Sequence, residues 1–294
     1  MSDRTVTGHI PNHPRIRLAH AALQAAADEL GIRVLHIKGP ALDESLLRSV
    51  NGEPQLRDST DADVLVEPRD ARRFIKAMKN HGWRQYTTFT SGSPFGHAAT
   101  MWHEQLGYAD IHRYFPGIGI PAEESFMRMW RARHGVPLAR RMSWVPSVEH
   151  QRLILLLHAA RSSGMKSADY VPAWGDADES TRAHIRELAS EFRADLPLAA
   201  AIGELDQWKG DRRHDLWQQF STNDPHSRTD EWVARIKAAN GPVDAIKIAV
   251  HSLFVNTDHL AMKLGRQPTR KEVWEAWLSR FRRAANETHD DGGL

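Results

Sequence analysis

An apolar strand that starts with two aspartates on one side is the feature of this sequence that most restricts its fold. In Arg57-Asp58-Ser59-Thr60-Asp61-Ala62-Asp63-Val64-Leu65-Val66 the run Val64-Leu65-Val66 reads as a strand. Side chains two apart in a strand share a face, so Asp61 and Asp63 project together where the chain runs into it. Paired carboxylates repel unless a cation joins them, and oxygen ligands of this kind suit Mg²⁺, which keeps water and substrate phosphates in its shell. An Asp-x-Asp alone is as often a solvated turn, so its surroundings decide.

Upstream, Val34-Leu35-His36-Ile37 reads as a strand that ends at Lys38-Gly39, with a helix expected from Pro40 to Val50. A glycine between strand and helix sets backbone N–H groups and a helix dipole where a phosphate sits, and Lys38 adds a point charge; an ordinary turn with an exposed lysine is the plainer alternative. Downstream, Tyr108-Ala109-Asp110-Ile111-His112 carries a third carboxylate on a strand-like run, with His112 on the same face as Asp110. Three carboxylates on neighbouring strands are able to bridge two metal ions, which activate an attacking hydroxyl and neutralise a triphosphate and its leaving pyrophosphate. Arg57, in the loop before Asp61, either holds a triphosphate oxygen or pairs with a carboxylate. His112 either ligates metal, orients Asp110 or serves only as a hydrogen-bonding partner.

Around these residues the chain changes character near Pro116 to Pro121. Before that point strand-like runs alternate with helical ones. A helix opens at Pro68 and ends at about Asn80, stopped by His81-Gly82, and the segments Trp83 to Phe89, Ala98 to His103 and Tyr108 to His112 read as strands. Beyond Pro121 the pattern is almost wholly helical: Glu123 to His134, Ser147 to Ser162, Glu179 to Phe192, Leu196 to Lys209, Pro242 to Leu264 and Lys271 to Ala285, then a frayed tail from Asn286 to Leu294. The expectation is a catalytic domain over residues 1–120 and a helical domain or cap over 121–294.

Composition removes several chemistries. With no cysteine among 294 residues there are no disulfides, thiolate metal sites or cysteine nucleophiles, so catalysis rests on carboxylates, histidines, lysines or hydroxyls. A net charge of +2 is close to neutral and argues neither for nor against nucleic acid. No apolar run reaches the ~18 residues of a membrane span and the N-terminus lacks a basic-then-apolar leader, which points to the cytosol and no membrane partner.

The pattern Leu35-His36-Ile37-Lys38-Gly39-Pro40-Ala41-Leu42, Arg57, Asp61-Ala62-Asp63-Val64-Leu65-Val66, Gly82-Trp83 and Asp110-Ile111-His112 resembles the uncharacterised bacterial nucleotidyltransferases of the DNA polymerase β superfamily. The resemblance extends to Val145-Pro146 and Leu155-Leu156-Leu157-His158-Ala159-Ala160-Arg161, roughly residues 30 to 165. It implies an α+β fold, a short mixed sheet with flanking helices followed by a mainly helical region. It further implies metal ligands at Asp61, Asp63 and Asp110 and phosphate contact at Lys38 and Gly39. The cofactor is then Mg²⁺, two ions, with Mn²⁺ as a substitute, and the donor is an NTP such as ATP. Thr60 and Ala62 depart from the family's usual residues at those positions, but both are small.

The acceptor is open: a small molecule, a peptide or protein, or RNA. Arg128, Arg131, Arg133, His134, Arg140 and Arg141 read as the solvated basic face of an amphipathic helix, or as an RNA contact in a toxin-like enzyme that modifies tRNA. A nucleotide-sensing module that has lost turnover is the alternative from another class. His158 reads as a hydrogen-bonded core histidine and Asp176-Ala177-Asp178-Glu179 as a solvated loop that caps the next helix.

Overall fold

The computed structural model describes residues 10–50, 53–55, 59–91, 95–222, 228–238 and 268–279, with 241, 260 and 264. Arg57, the expected helix from Pro242 to Leu264 (its residues 260 and 264 apart) and the tail from Asn286 lie outside the described residues. The chain divides into two compact units, Met1–Arg152 and Leu153–Leu294. No helix among the described residues is long and apolar enough to cross a membrane.

The first unit is built on a five-stranded sheet in the order β1-β4-β7-β6-β5. Its strands are β1 (Val34–Ile37), β4 (Asp61–Val66), β5 (Arg84–Gln85), β6 (Ala98–His103) and β7 (Gly107–His112), while β2 (Arg48–Val50) and β3 (Glu53–Gln55) form a separate hairpin. Only β4 and β7 run parallel; every other neighbour is antiparallel, so the sheet is mixed. One face is closed by α1 (Asn12–Leu30) and α2 (Ala71–Met78). Ile16, Ala19, Leu23 and Ala27 of α1 and Phe74, Ile75 and Met78 of α2 pack with Val34, Val64, Val66, Met101, Ala109 and Ile111 in one buried cluster.

Helix α1 has no counterpart in the sequence-based expectations. Its buried stripe is made largely of alanine, so the contrast between its faces is low, and Gly31 at φ 63° ends it. Inside this core lies a polar chain. Gln24 donates to Asp28 at 2.6 Å, so its carbonyl oxygen is left to accept from His36 Nε2 at 3.0 Å, and the His36 Nδ1 lone pair then accepts from His20 Nδ1 at 2.8 Å. Burial pulls His20 down to about 4 and His36 well below its ordinary value, so both stay neutral.

Three expectations need correction. Residues 40–50 do not form a helix: two 3₁₀ turns, Gly39–Ala41 and Glu44–Leu46, are followed by β2. Leu42 and Asp43 are extended, and the Asp43 carboxylate accepts from the Ser45 N–H at 2.9 Å, a local bond that takes the place of helical pairing. Of the expected strand from Trp83 to Phe89, only Arg84–Gln85 pairs. The expected helix Glu123 to His134 stops early as α3 (Ala122–Arg131), and a hairpin of β8 (His134–Leu138) and β9 (Arg141–Val145) follows where helix was expected.

In the second unit helices form within the expected spans Ser147 to Ser162 and Glu179 to Phe192, whereas the expected helix Leu196 to Lys209 stops at Ile202, and α7 (His214–Thr222) and α8 (Arg228–Lys237) form where no helix was expected. Helix α4 (Val148–Ala159), within which the division between the units falls, has Ser147 Oγ accepting from the His150 N–H at 3.5 Å. Helix α5 (Glu179–Glu191) is capped by Asp178, which accepts from the Thr181 N–H at 2.7 Å, and α6 (Asp195–Ile202) ends at Gly203 with φ 80°. His158 bonds the buried Asp169 at 2.6 Å but is itself partly exposed.

Candidate active site

Strand alternation fixes which side chains meet. Ala62, Val64, Ala109, Ile111, Ala99 and Met101 all point into the core beneath α1 and α2. Their neighbours Asp61, Asp63, Asp110, His112 and Thr100 therefore share the opposite face. The register tightens this. Asp63 lies directly beside Asp110 across the parallel β4–β7 pair, Asp110 lies opposite Thr100 on β6, and Asp63 lies opposite Ile37, the residue before Lys38.

Asp63 is the hub. Its Oδ1 accepts from Lys38 Nζ at 3.0 Å and from His112 Nε2 at 2.7 Å, and only 4% of the residue is exposed. Burial alone would raise its carboxyl, but the Lys38 ammonium and the His112 hydrogen bond outweigh it and hold Asp63 well below the usual carboxylate range. Asp110 Oδ1 accepts from the Thr100 hydroxyl at 2.8 Å. Burial and then the Asp63 charge raise Asp110, against weaker pulls from His112, Thr100 and Lys38. Burial first, then the like charges of Asp63 and Asp110, push Asp61 up to about 6, against Lys38 and the Thr60 hydroxyl.

These values describe a face with more negative charge than Lys38 neutralises. Asp63, Asp110 and His112 each offer a ligand atom within 4.8 Å of the others, so a cation fits among them. The donor set is chiefly oxygen, which suits a hard divalent ion. His112 Nδ1 is buried with no hydrogen-bond partner, so His112 supports Asp63 through its other nitrogen.

The sign of the Asp61 shift gives a test. A carboxyl raised in the folded state costs no stability below its unfolded value of about 4, costs progressively more between pH 4 and 6, and carries the full penalty above about 6. In metal-free protein Asp61→Asn is therefore expected to raise the melting temperature at pH 7.5 by a few degrees, about 1–3 kcal/mol, with the gain vanishing at pH 4. A gain that does not change with pH would mean that Asp61 carries no such strain.

Of the residues singled out in the sequence, Asp61, Asp63 and Asp110 come together on one face and Lys38 reaches Asp63 rather than open solvent. Lys38 adopts φ 59° and ψ −174°, a conformation rare for any residue but glycine, and Gly39 follows at φ 50°. A Cβ on Gly39 would lie 3.1 Å from Ser59 Oγ, so the turn needs glycine for space as well as for its backbone. Sequence reasoning missed Thr100, which only the β6–β7 register brings to Asp110, and the pairing of His112 with Asp63 across the strands. The basic stretch is not one helical face. Arg128 pairs with Glu124 at 2.7 Å, Arg133 stacks on Trp130 and Trp144 with its guanidinium 4.0 and 4.7 Å from the rings, and Arg141 pairs with Asp28 at 3.0 Å.

Comparison with known proteins follows this geometry. Among curated proteins no relative matches the chain. Solved structures that resemble it include a lincosamide antibiotic adenylyltransferase, LnuA, with lincomycin bound, at 16% identity over 59% of this chain and 95% of the other, TM-score 0.33. An antigenic nucleotidyltransferase-like protein from Paracoccidioides brasiliensis matches at 16% identity over 64% and 94%, TM-score 0.36. The antibiotic-resistance factor ANT(2'')-Ia matches at 15% identity over 69% and 98%, TM-score 0.38. Likenesses of this degree do not carry a substrate across. A family described as uncharacterised nucleotidyltransferase, however, matches residues 15–203, which is most of the chain and all of the carboxylate face, and the chain belongs to that family.

Proposed function

We propose that the protein is a divalent-metal-dependent nucleotidyltransferase that moves NMP from an NTP to an acceptor hydroxyl and releases pyrophosphate. The observation that carries this reading is the side-by-side register of Asp63 and Asp110, with Asp61 on the same face and the Lys38-Gly39 turn at its edge.

In this reading Asp61, Asp63 and Asp110 hold the metal, Mg²⁺ or Mn²⁺ and two ions by the number of carboxylates. Bound there, the metal supplies Lewis-acid polarisation of the α-phosphate and offsets the charge of the leaving pyrophosphate. Lys38 holds Asp63 ionised in the absence of substrate and moves to a phosphate oxygen once the NTP arrives. Gly39 offers its backbone N–H to the same phosphates, and Arg57 has a place in nucleotide binding by its position in the sequence. Asp110, fixed by Thr100, orients the acceptor hydroxyl and accepts its proton. The hydroxyl oxygen bonds to the α-phosphorus as the bond to the pyrophosphate oxygen breaks.

The presence of all three carboxylates favours an enzyme over a sensing module. Three of the six residues of the basic stretch are engaged within the protein, Arg128 with Glu124, Arg133 with Trp130 and Trp144, and Arg141 with Asp28, which weighs against a tRNA-modifying toxin. Incubation with Mg²⁺ and each α-labelled NTP, alone and with small-molecule, RNA and protein fractions of cell extract, is expected to give label in one fraction with one pyrophosphate per label. Nucleotide bound without transfer would favour the sensing reading. No NTP binding under any metal condition would end the proposal.

A further inference from the structure

The carboxylate face continues across the sheet, and its two ends differ. Toward β1, Leu35, Ile37 and Leu65 share the face with Asp63 and are buried. Toward β5 the face opens. Tyr108, the register neighbour of Asp61, is 39% exposed, and Tyr86, just past β5, is 37% exposed. Their rings meet edge to face with centroids 5.7 Å apart. Trp102 on β6 lies opposite Tyr108 on β7 and opposite Arg84 on β5, and the exposed Arg84 has its guanidinium 5.7 Å from the Trp102 ring.

Two tyrosine rings left more than a third exposed beside three carboxylates are poorly explained by folding alone, since each forgoes part of the burial that its size would reward. The chemistry of transfer says what belongs there. Attacking and leaving oxygens lie roughly in line at the phosphorus. With the pyrophosphate leaving toward the Lys38-Gly39 turn on the β1 side, the acceptor hydroxyl approaches from the opposite side of the carboxylates, where β6 and β5 present these side chains.

Resting on the nucleotidyltransferase reading, we propose that Tyr86, Trp102, Tyr108 and Arg84 form the acceptor subsite, and that the acceptor is a small hydroxyl-bearing ring compound, neutral or anionic. The aromatic groups take the flat or C–H face of the ring, and their phenol and indole groups add hydrogen bonds at its rim. Arg84 adds one positive charge at the edge of the subsite, which suits a neutral or acidic ring. RNA is the wrong occupant, because it requires several phosphate contacts along a track and a single arginine supplies one.

The test uses the full chain, Mg²⁺, α-labelled ATP and a low-mass filtrate of cell extract, with RNA and protein fractions in parallel. The proteins are wild type, the Tyr86→Ala/Tyr108→Ala and Tyr86→Phe/Tyr108→Phe doubles, and Asp63→Asn. Label is expected in the filtrate, dependent on Asp63. The alanine double should lower transfer about 10- to 100-fold at limiting filtrate, through the acceptor KM, while the KM for ATP stays within about twofold. The phenylalanine double should keep most of the activity, since the ring faces remain. Label in RNA or protein, equal transfer by the alanine double, or a raised KM for ATP in place of the acceptor effect would overturn the subsite and leave the nucleotidyltransferase reading standing. ATP binding and no transfer to any fraction would overturn the subsite too, and failure of the wild type to bind ATP would overturn both.

Discussion

Replacing Asp63 by asparagine is expected to lower nucleotidyl transfer on the order of 10³-fold or more while the protein stays folded. Asp63 is the carboxylate on which Lys38 and His112 converge and the register partner of Asp110, so its charge serves both the metal and the groups around it. Losing several kcal/mol of transition-state stabilisation corresponds to a rate loss of this size. Asparagine keeps an oxygen for Lys38 and His112, and the fold should melt within a few degrees of wild type. Asp63→Ala should be different. It leaves the Lys38 ammonium and the His112 ring nearly buried with no acceptor, a loss of about 3 kcal/mol or more. Removal is expected to relieve repulsion at Asp61, whose carboxyl is raised, and not at Asp63, whose carboxyl is lowered. Turnover and thermal melting measured on the same samples check both statements. An Asp63→Asn protein with a tenth of wild-type activity would remove Asp63 from the catalytic set.

Lys38→Met is expected to lower kcat/KM for the NTP about 10²-fold, mainly through nucleotide affinity, because the side chain is a cation at the edge of the carboxylate face where the phosphates are assigned. The Asp63 carboxyl should rise when its first counter-charge is removed, so the acid limb of the pH profile should move toward higher pH. Backbone and side chain separate by comparing two further variants. Lys38→Gly and Lys38→Ala both lose the ammonium, but only glycine relaxes a residue at φ 59° and ψ −174°. Lys38→Gly should therefore be the more stable of the two by about 1 kcal/mol or more. Equal melting temperatures would show that the turn stores no strain, and an unchanged NTP affinity in Lys38→Met would show that Lys38 serves Asp63 alone.

Much of this face was legible because a strand repeats every two residues. Asp61, Asp63 and Asp110 fall on one side of their strands by counting alone, and the apolar residues between them mark the other side as core. What counting could not supply was which strands are neighbours. Thr100 is an unremarkable threonine until β6 pairs with β7, and the bond from His112 to Asp63 spans 49 residues of sequence. Local signals failed where the chain uses unusual residues for a standard shape. The β8–β9 turn places Ala139 at φ 47° and Arg140 at φ 66°, positions that normally hold asparagine or glycine, so nothing in the sequence announces a hairpin. Helix α1 escaped because alanine hardly distinguishes a buried face from a wet one.

The pairing of β4 with β7 has one more consequence, for how the molecule is made. The register that sets Asp63 beside Asp110 is the same one that sends Val64 and Ile111 beneath α1 and α2. A slip of one residue would turn the carboxylates into the oil and the valine and isoleucine out to water, and it would unfold the unit before it produced a misaligned site. Folding thus inspects the catalytic alignment at no separate cost. In any preparation, the fraction of chains that melt cooperatively should equal the fraction competent to react, with no population that is folded but miswired.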